Sequence, residues 1–428
     1  MSSRRWRACP ECDWVMALPV LKAGESAHCP RCERELVYRH DAPAQRILAY
    51  AASALVMLLL TLPFSFLAFS MAGIQQEIVL FDAAQAMFTN DWPILALLIA
   101  LTIVILPGLF LAAIVYLYAS IAMRTKLPGT HFLARMLSGL KPWLMTDVFL
   151  LGVLISIGKL MGMAHVELGW SFVAFCFYVF FLVRTVSLVD ADWLWFALLH
   201  EPAPPPGAYT GATAASQGIV GCPTCGLLNS EAETACRRCH ASIVSPSRFR
   251  LQATWALIVA ATILYIPANL YPMMTTVTIG GTIYSTILGG VMQLIETESY
   301  VIATIIFTAS FIVPIAKIIA LSYLCWLAAH PQPMATKRRM RLYRITEIIG
   351  RWSMIDVFVV AITVALMQAG LILSIYPGAA AAAFAAVVII TMIAAMTFDP
   401  RLLWAAVDSN MQQSSEELSK QKQEGYGN

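Results

Sequence analysis

Residues 142–149 read PWLMTDVF and residues 351–358 read RWSMIDVF. Trp143 falls on Trp352, Met145 on Met354, Asp147 on Asp356 and Phe149 on Phe358, each at an offset of 209. The same offset carries Asp190 onto Asp399, Leu194 onto Leu403 and Trp195 onto Trp404. One register holding across two separated motifs marks an internal repeat, and the repeat organises the rest of the chain around it.

The 428 residues are 59% hydrophobic and 12% charged, whereas a soluble chain carries about 25% charged residues. The shortfall lies in blocks at 47–71, 93–121, 143–163, 168–189, 251–273, 300–328, 352–373 and 375–397. Each holds the roughly 20 apolar residues that cross a bilayer. Backbone groups in lipid must bond within their own segment, so these blocks are expected to be helices. The alternation of an outer-membrane barrel is absent. The first block is not read as a cleaved signal peptide, because the polar, Cys-rich residues 1–45 precede it.

The formal net charge of +3 is small, but its distribution is one-sided. Lys and Arg crowd the N-terminus, the 122–142 loop, the central linker around Arg237, Arg238, Arg248 and Arg250, and the 330–351 loop. The loops at 72–92, 164–167 and 274–299 contain neither residue type. Positive charge stays on the cytoplasmic face, which predicts both termini and the central linker inside a bacterial inner membrane. Four spans per half return each half to its starting side, so the repeats are parallel. The expected fold is therefore an all-α polytopic membrane protein of two four-helix repeats, each preceded by a small cytosolic zinc ribbon. The expected partition is 1–45 for the first ribbon, 46–200 for repeat 1, 201–248 for a Pro-rich linker and second ribbon, 249–405 for repeat 2, and 406–428 for a disordered polar tail.

Eight of the ten cysteines form four C-x-x-C pairs. Cys9 and Cys12 pair in spacing with Cys29 and Cys32, and Cys222 and Cys225 with Cys236 and Cys239. Two such knuckles offer four thiolates to a tetrahedral metal, and metal binding stabilises a domain too small for a core of its own. The reading is two structural zinc sites, with iron and a redox-active C-x-x-C as rivals. Cysteines in the reducing cytosol bind metal more readily than they form disulfides. Four thiolates fill the coordination shell and leave no position for catalysis. Ribbons tethered this close to membrane spans also argue against nucleic acid as a partner.

Charge inside a bilayer costs roughly 2.5–3.5 kcal/mol on insertion scales and marks a candidate site. Lys317 lies near the middle of the sixth block, three residues after Pro314, and the 209 offset gives it Gly108 as a counterpart. Asp147 and Asp356 recur near the cytoplasmic ends of the third and seventh blocks. A carboxylate beside Lys317 is the expected way to hold that charge, with Ser310, Ser353 and Thr391 extending a polar network. The competing reading is a structural ion pair. No P-loop, dinucleotide fingerprint, H-E-x-x-H or G-x-S-x-G string occurs, so no familiar ATPase or hydrolase, and no enzyme, is expected.

The strings CPECD at 9–13, CPRC at 29–32, YIPANL at 265–270, GRWSMIDVF at 350–358 and AMTFDPRL at 395–402 resemble the paraquat-inducible protein A family over about residues 8–405. That resemblance implies a periplasmic partner, a membrane-anchored tunnel of stacked mammalian-cell-entry (MCE) domains. It further implies an outer-membrane lipoprotein reached through the tunnel, phospholipid as substrate and support of envelope integrity. The alternatives are a proton-coupled exporter of small toxic molecules and a zinc-ribbon membrane scaffold or sensor.

Overall fold

The computed structural model describes residues 5–71, 74–125, 127–160, 165–199, 201–243, 248–278, 281–296, 298–330, 336–350, 352–366 and 373–404. The tail expected at 406–428 lies outside them. The chain opens with two short hairpins, β1 (Trp6–Ala8) with β2 (Val15–Ala17) and β3 (Ser26–His28) with β4 (Glu35–Tyr38). Repeat 1 follows as α1 (Pro43–Thr61), β5 (Leu67–Met71), β6 (Ile74–Ile78), α2 (Asp82–Thr89), α3 (Pro93–Ala100), α4 (Leu106–Ala122), α5 (Thr130–Leu140), α6 (Thr146–Leu160), β7 (His165–Leu168), α7 (Trp170–Leu188) and α8 (Ala191–Leu198). A third hairpin, β8 (Ile219–Gly221) with β9 (Leu228–Ser230), precedes repeat 2. Repeat 2 is α9 (Arg248–Leu270), β10 (Met274–Thr278), β11 (Gly281–Ser285), α10 (Ile287–Glu296), α11 (Tyr300–Phe307), α12 (Val313–Ala329), α13 (Thr336–Gly350), α14 (Ile355–Leu366), β12 (Leu373–Pro377) and α15 (Ala379–Thr397). Among the described residues eight helices are long and apolar enough to cross a membrane, as the sequence predicts.

The helix ends differ from the apolar blocks. The first block was expected to run to 71, yet α1 stops at Thr61 and residues 67–71 form β5. Pro63 stands two residues on and lacks the N–H that a further helical turn would need, so Leu62 is the last residue with helical dihedrals. Pro272 ends α9 in the same way, and β10 follows. Each repeat therefore carries a three-stranded antiparallel sheet at the end opposite the ribbons, in the order β6-β5-β7 and β11-β10-β12. Leu67 pairs with Leu168, and Met274 with Pro377 at the equivalent place.

The structure also corrects the repeat register. α3 and α4 are joined by a widened π turn at Leu101–Ile105, and α11 and α12 by another at Thr308–Ile312. A proline lacks the N–H its turn needs and clashes with the carbonyl four residues back. Widening the turn ahead of Pro107 and Pro314 accommodates both defects, with Leu106 donating to Leu101 and Val313 to Thr308. These elements correspond at an offset of 207, whereas α7 and α15 correspond at 209. The counterpart of Lys317 is consequently Phe110, which is buried, and not Gly108.

The repeats meet along α6 and α14. The backbone of α14 approaches Gly152 so closely that a Cβ there would lie 3.1 Å from that of Phe358. Phe149 meets Phe358 edge-on at 5.4 Å. All twelve residues of α14 are buried, so this helix is the core of the membrane domain and touches little lipid.

Candidate functional site

The two cysteine sets are built from one backbone device used four times. Cys9 N donates to Trp14 O and Asp13 N to Cys9 O; Cys29, Cys222 and Cys236 each repeat the pattern with the residues that follow them. The residue after each second cysteine must reverse the chain in the left-handed region. Asp13, Glu33, Gly226 and His240 have φ of 59°, 62°, 72° and 53°. This tight loop turns both thiols of a knuckle toward one point.

Two knuckles then face each other. Cys9, Cys12, Cys29 and Cys32 are all buried with every sulfur within 4.8 Å of the others, as are Cys222, Cys225, Cys236 and Cys239. The closest pairs, Cys9 with Cys32 and Cys12 with Cys29, are 3.4 Å apart and none is a disulfide. Without a cation four such sulfurs cannot all ionise: hydrogen bonding to Cys29 pushes the Cys12 thiol up, while the same contact holds Cys29 down. The surroundings favour negative charge at the second set. Cys236 Sγ accepts from Asn229 Nδ2 at 3.6 Å and Arg238 N at 3.5 Å. Arg238 is 3% exposed, all three guanidinium nitrogens lack a hydrogen-bond partner, and its charged neighbours are Arg7, which repels it, and Cys225, Glu201 and Asp192, which offset its charge. A buried unpaired cation is costly unless the site beside it carries compensating charge, which a metal tetrathiolate does. Both sets can bind a metal ion. His28 and His240 are exposed and stand outside the two clusters.

Arginines bind the ribbons to the membrane domain. Arg344 on α13 grips Glu11 through Nε and Nη2, at 3.1 and 2.5 Å, and donates to Cys32 O at 2.9 Å. Glu11 is 2% exposed and also pairs with Arg34 at 2.9 Å. Arg135 on α5 donates to Cys239 O. Arg31 lies over the Trp404 ring at 4.4 Å. The residues read as a linker are ordered against the first ribbon. Val15 exchanges hydrogen bonds with Gly211 and Ala212, and Asp13 accepts from Ala214 and Ala215.

The membrane-domain candidates fall in two groups. Asp356 is 6% exposed at the start of α14, with Ser310 beside its carboxyl and no partner for Oδ2. Ser353 and Thr391 are buried, and the elements that carry Ser310 and Thr391 both pack on the short turn holding Ser353. Ser310 and Thr391 spend their own protons on Ile306 O and Val388 O. Lys317 is 4% exposed, and its Nζ reaches Gly350 O at 3.5 Å, where α13 ends. Among the described residues it forms no ion pair, and Asp147, half-buried in the first turn of α6, is linked to none of the others. The partner of Lys317 is thus a helix-terminal carbonyl, which carries the negative end of the helix dipole. The sequence reading passed over Arg135, Arg344 and Glu11. Its one available signal was the 209 offset, which also pairs Arg135 with Arg344 and Leu133 with Leu342.

A family model described as paraquat-inducible protein A matches residues 44–198 and 251–408. The chain is 40% identical over 398 residues to the intermembrane transport protein PqiA of Escherichia coli (strain K12), covering 92% of this chain and 94% of that protein. It is 30% identical over 408 residues to the lipophilic envelope-spanning tunnel protein A of the same strain, covering 94% and 92%. A probable intermembrane transport protein of Haemophilus influenzae is 28% identical over 409 residues. No solved structure matches the chain.

Proposed function

The chain belongs to the paraquat-inducible protein A family, and on that footing we propose that it is the inner-membrane subunit of an MCE-type intermembrane lipid transport system. It passes phospholipid to or from a periplasmic MCE tunnel, reaches an outer-membrane lipoprotein through that tunnel, and thereby supports envelope integrity. The observation that carries the reading is similarity along nearly the whole chain to proteins named for intermembrane transport. The chemistry of the membrane domain agrees with it. An amphipathic substrate needs apolar walls with a few polar contacts. Eight apolar helices enclose the buried polar groups Asp356, Ser310 and Ser353, with Lys317 also buried in the same repeat.

In this reading the ribbon end lies in the cytoplasm and the two small sheets face the periplasm, because Lys and Arg crowd only the ribbon end. Zinc occupies both cysteine sets, fully coordinated and structural, so the chain is a transporter subunit and not an enzyme. A photoreactive amino acid in place of Ser353, irradiated in cells, is expected to capture phospholipid. Absence of any lipid adduct, together with altered paraquat accumulation in a deletion strain whose envelope stays detergent-resistant, would instead establish small-molecule export.

A further inference from the structure

The cysteine knuckles of the two ribbons seat on opposite repeats, while Arg5 and Arg7 of the first ribbon also pair with Asp192 of its own repeat at 2.7 and 2.6 Å. Cys9, Cys12, Cys29 and Cys32 precede repeat 1, yet they pack into one buried cluster with Leu324, Tyr343, Phe398 and Trp404 of repeat 2. The second set precedes repeat 2, yet Cys222, Cys225, Cys236 and Cys239 share a cluster with Leu137, Leu194 and Trp195 of repeat 1. The same polar contact seals both crossings. Arg135 of repeat 1 donates to the carbonyl of Cys239, and Arg344 of repeat 2 donates to the carbonyl of Cys32. Cys239 and Cys32 are the last cysteines of their sets, so each arginine holds the backbone of a metal knuckle belonging to the other repeat. Where the ribbons cross, Ala8 and Val15 of the first share a small buried apolar cluster with Ala214, Ile219 and Leu228 of the second segment, beside an open cleft of about 650 Å³ lined by Arg7, Arg34, Cys222 and Thr224 among others.

We infer that the ribbons form a crossed clamp: Arg135 and Arg344 are positioning residues that tie each metal centre to the opposite repeat, and metal occupancy fixes the separation of the ribbon-side ends of the two repeats. The clamp rests on reading both cysteine sets as metal centres. Elemental analysis of the purified full chain tests that reading by itself, because two metal ions per chain are expected whatever the arginines do.

The clamp is tested by exposing full-length protein to a chelator and an alkylating reagent, then mapping modified cysteines by mass spectrometry. Arg135→Met is expected to speed alkylation of Cys222, Cys225, Cys236 and Cys239 about tenfold, the size of effect usual for a residue that orients a ligand, and to leave the first set unchanged. Arg344→Met is expected to do the reverse. Faster alkylation of the set in the same repeat, or no change in either set, overturns the proposal. A second measurement needs neither variant. Probes on non-canonical amino acids at Ser138 and Glu347, both exposed on α5 and α13, report the separation of the two helices. Chelation is expected to broaden that distance distribution, and an unchanged distribution overturns the clamp.

Discussion

Asp190 joins three segments through one carboxylate. Its Oδ1 accepts from Asp192 N at 2.8 Å and Trp193 N at 3.3 Å, capping α8, and its Oδ2 accepts from Tyr38 N at the end of the first ribbon. Burial, reinforced by the charge of Asp192, raises its titration above the ordinary 3.8. Just above pH 3.8 the folded chain therefore holds a proton that the unfolded chain has released, so stability falls as pH rises through that window. Asparagine caps as well as aspartate but carries no charge. Asp190→Asn is expected to flatten this slope in thermal unfolding at graded pH while giving up the Tyr38 bond, because its Nδ2 cannot accept, whereas Asp190→Ala loses about 1 kcal/mol more with the α8 cap. A slope as steep as that of the unaltered protein would show that another group controls it. Residues like this divide sharply in legibility. The eight cysteines were readable because a knuckle is a local spacing, closed within five residues. Arg344 was not, because its contact with Cys32 bridges 312 positions and a lone arginine in a basic loop reads equally well as a topology signal.

The two small sheets were hidden for a different reason. β5 continues the apolar run of α1, where hydropathy does not register a helix giving way to a strand, and β10 lies in the loop at 274–299 just past the apolar run of α9. Pro63 and Pro272 were the local signals. Where β7 and β12 turn into α7 and α15, the helix-capping residues are Gly169 and Gly378. A Cβ at Gly169 would stand 1.9 Å from Ser65 O, and one at Gly378 2.0 Å from Pro272 O, so each glycine lets the sheet and helix ends touch backbone to backbone. Gly378→Ala must push these strands apart, and a steric insertion of this kind costs about 1–3 kcal/mol. The expected result is a lower unfolding temperature together with protease cleavage near β10 and β12 at low enzyme dose. Unfolding and cleavage matching the unaltered protein would mean that the approach is soft.

Repeat organisation, span number and one-sided charge were all legible, because composition and period are additive along the chain. Which ribbon sits on which repeat was not, since nothing in a parallel duplication distinguishes docking at home from docking across. The exchange has a measurable outcome. Chains of residues 1–246 and 247–428, expressed together, are expected to copurify with both cysteine sets metal-loaded. The first alone should lose metal from Cys9, Cys12, Cys29 and Cys32, whose seat lies in the second. Full metal content in the isolated first chain would show that this ribbon is indifferent to its seat.

The seat of Glu11 has one more implication, for biosynthesis. Its partner Arg344 is 333 residues downstream, and ribosomes add about 5–20 residues per second. The earliest-made segment thus waits on the order of 20–70 s for its resting place while six helices are threaded into the bilayer behind it. During that interval the first cysteine set stands without its seat, so its anchoring belongs to the later stages of insertion.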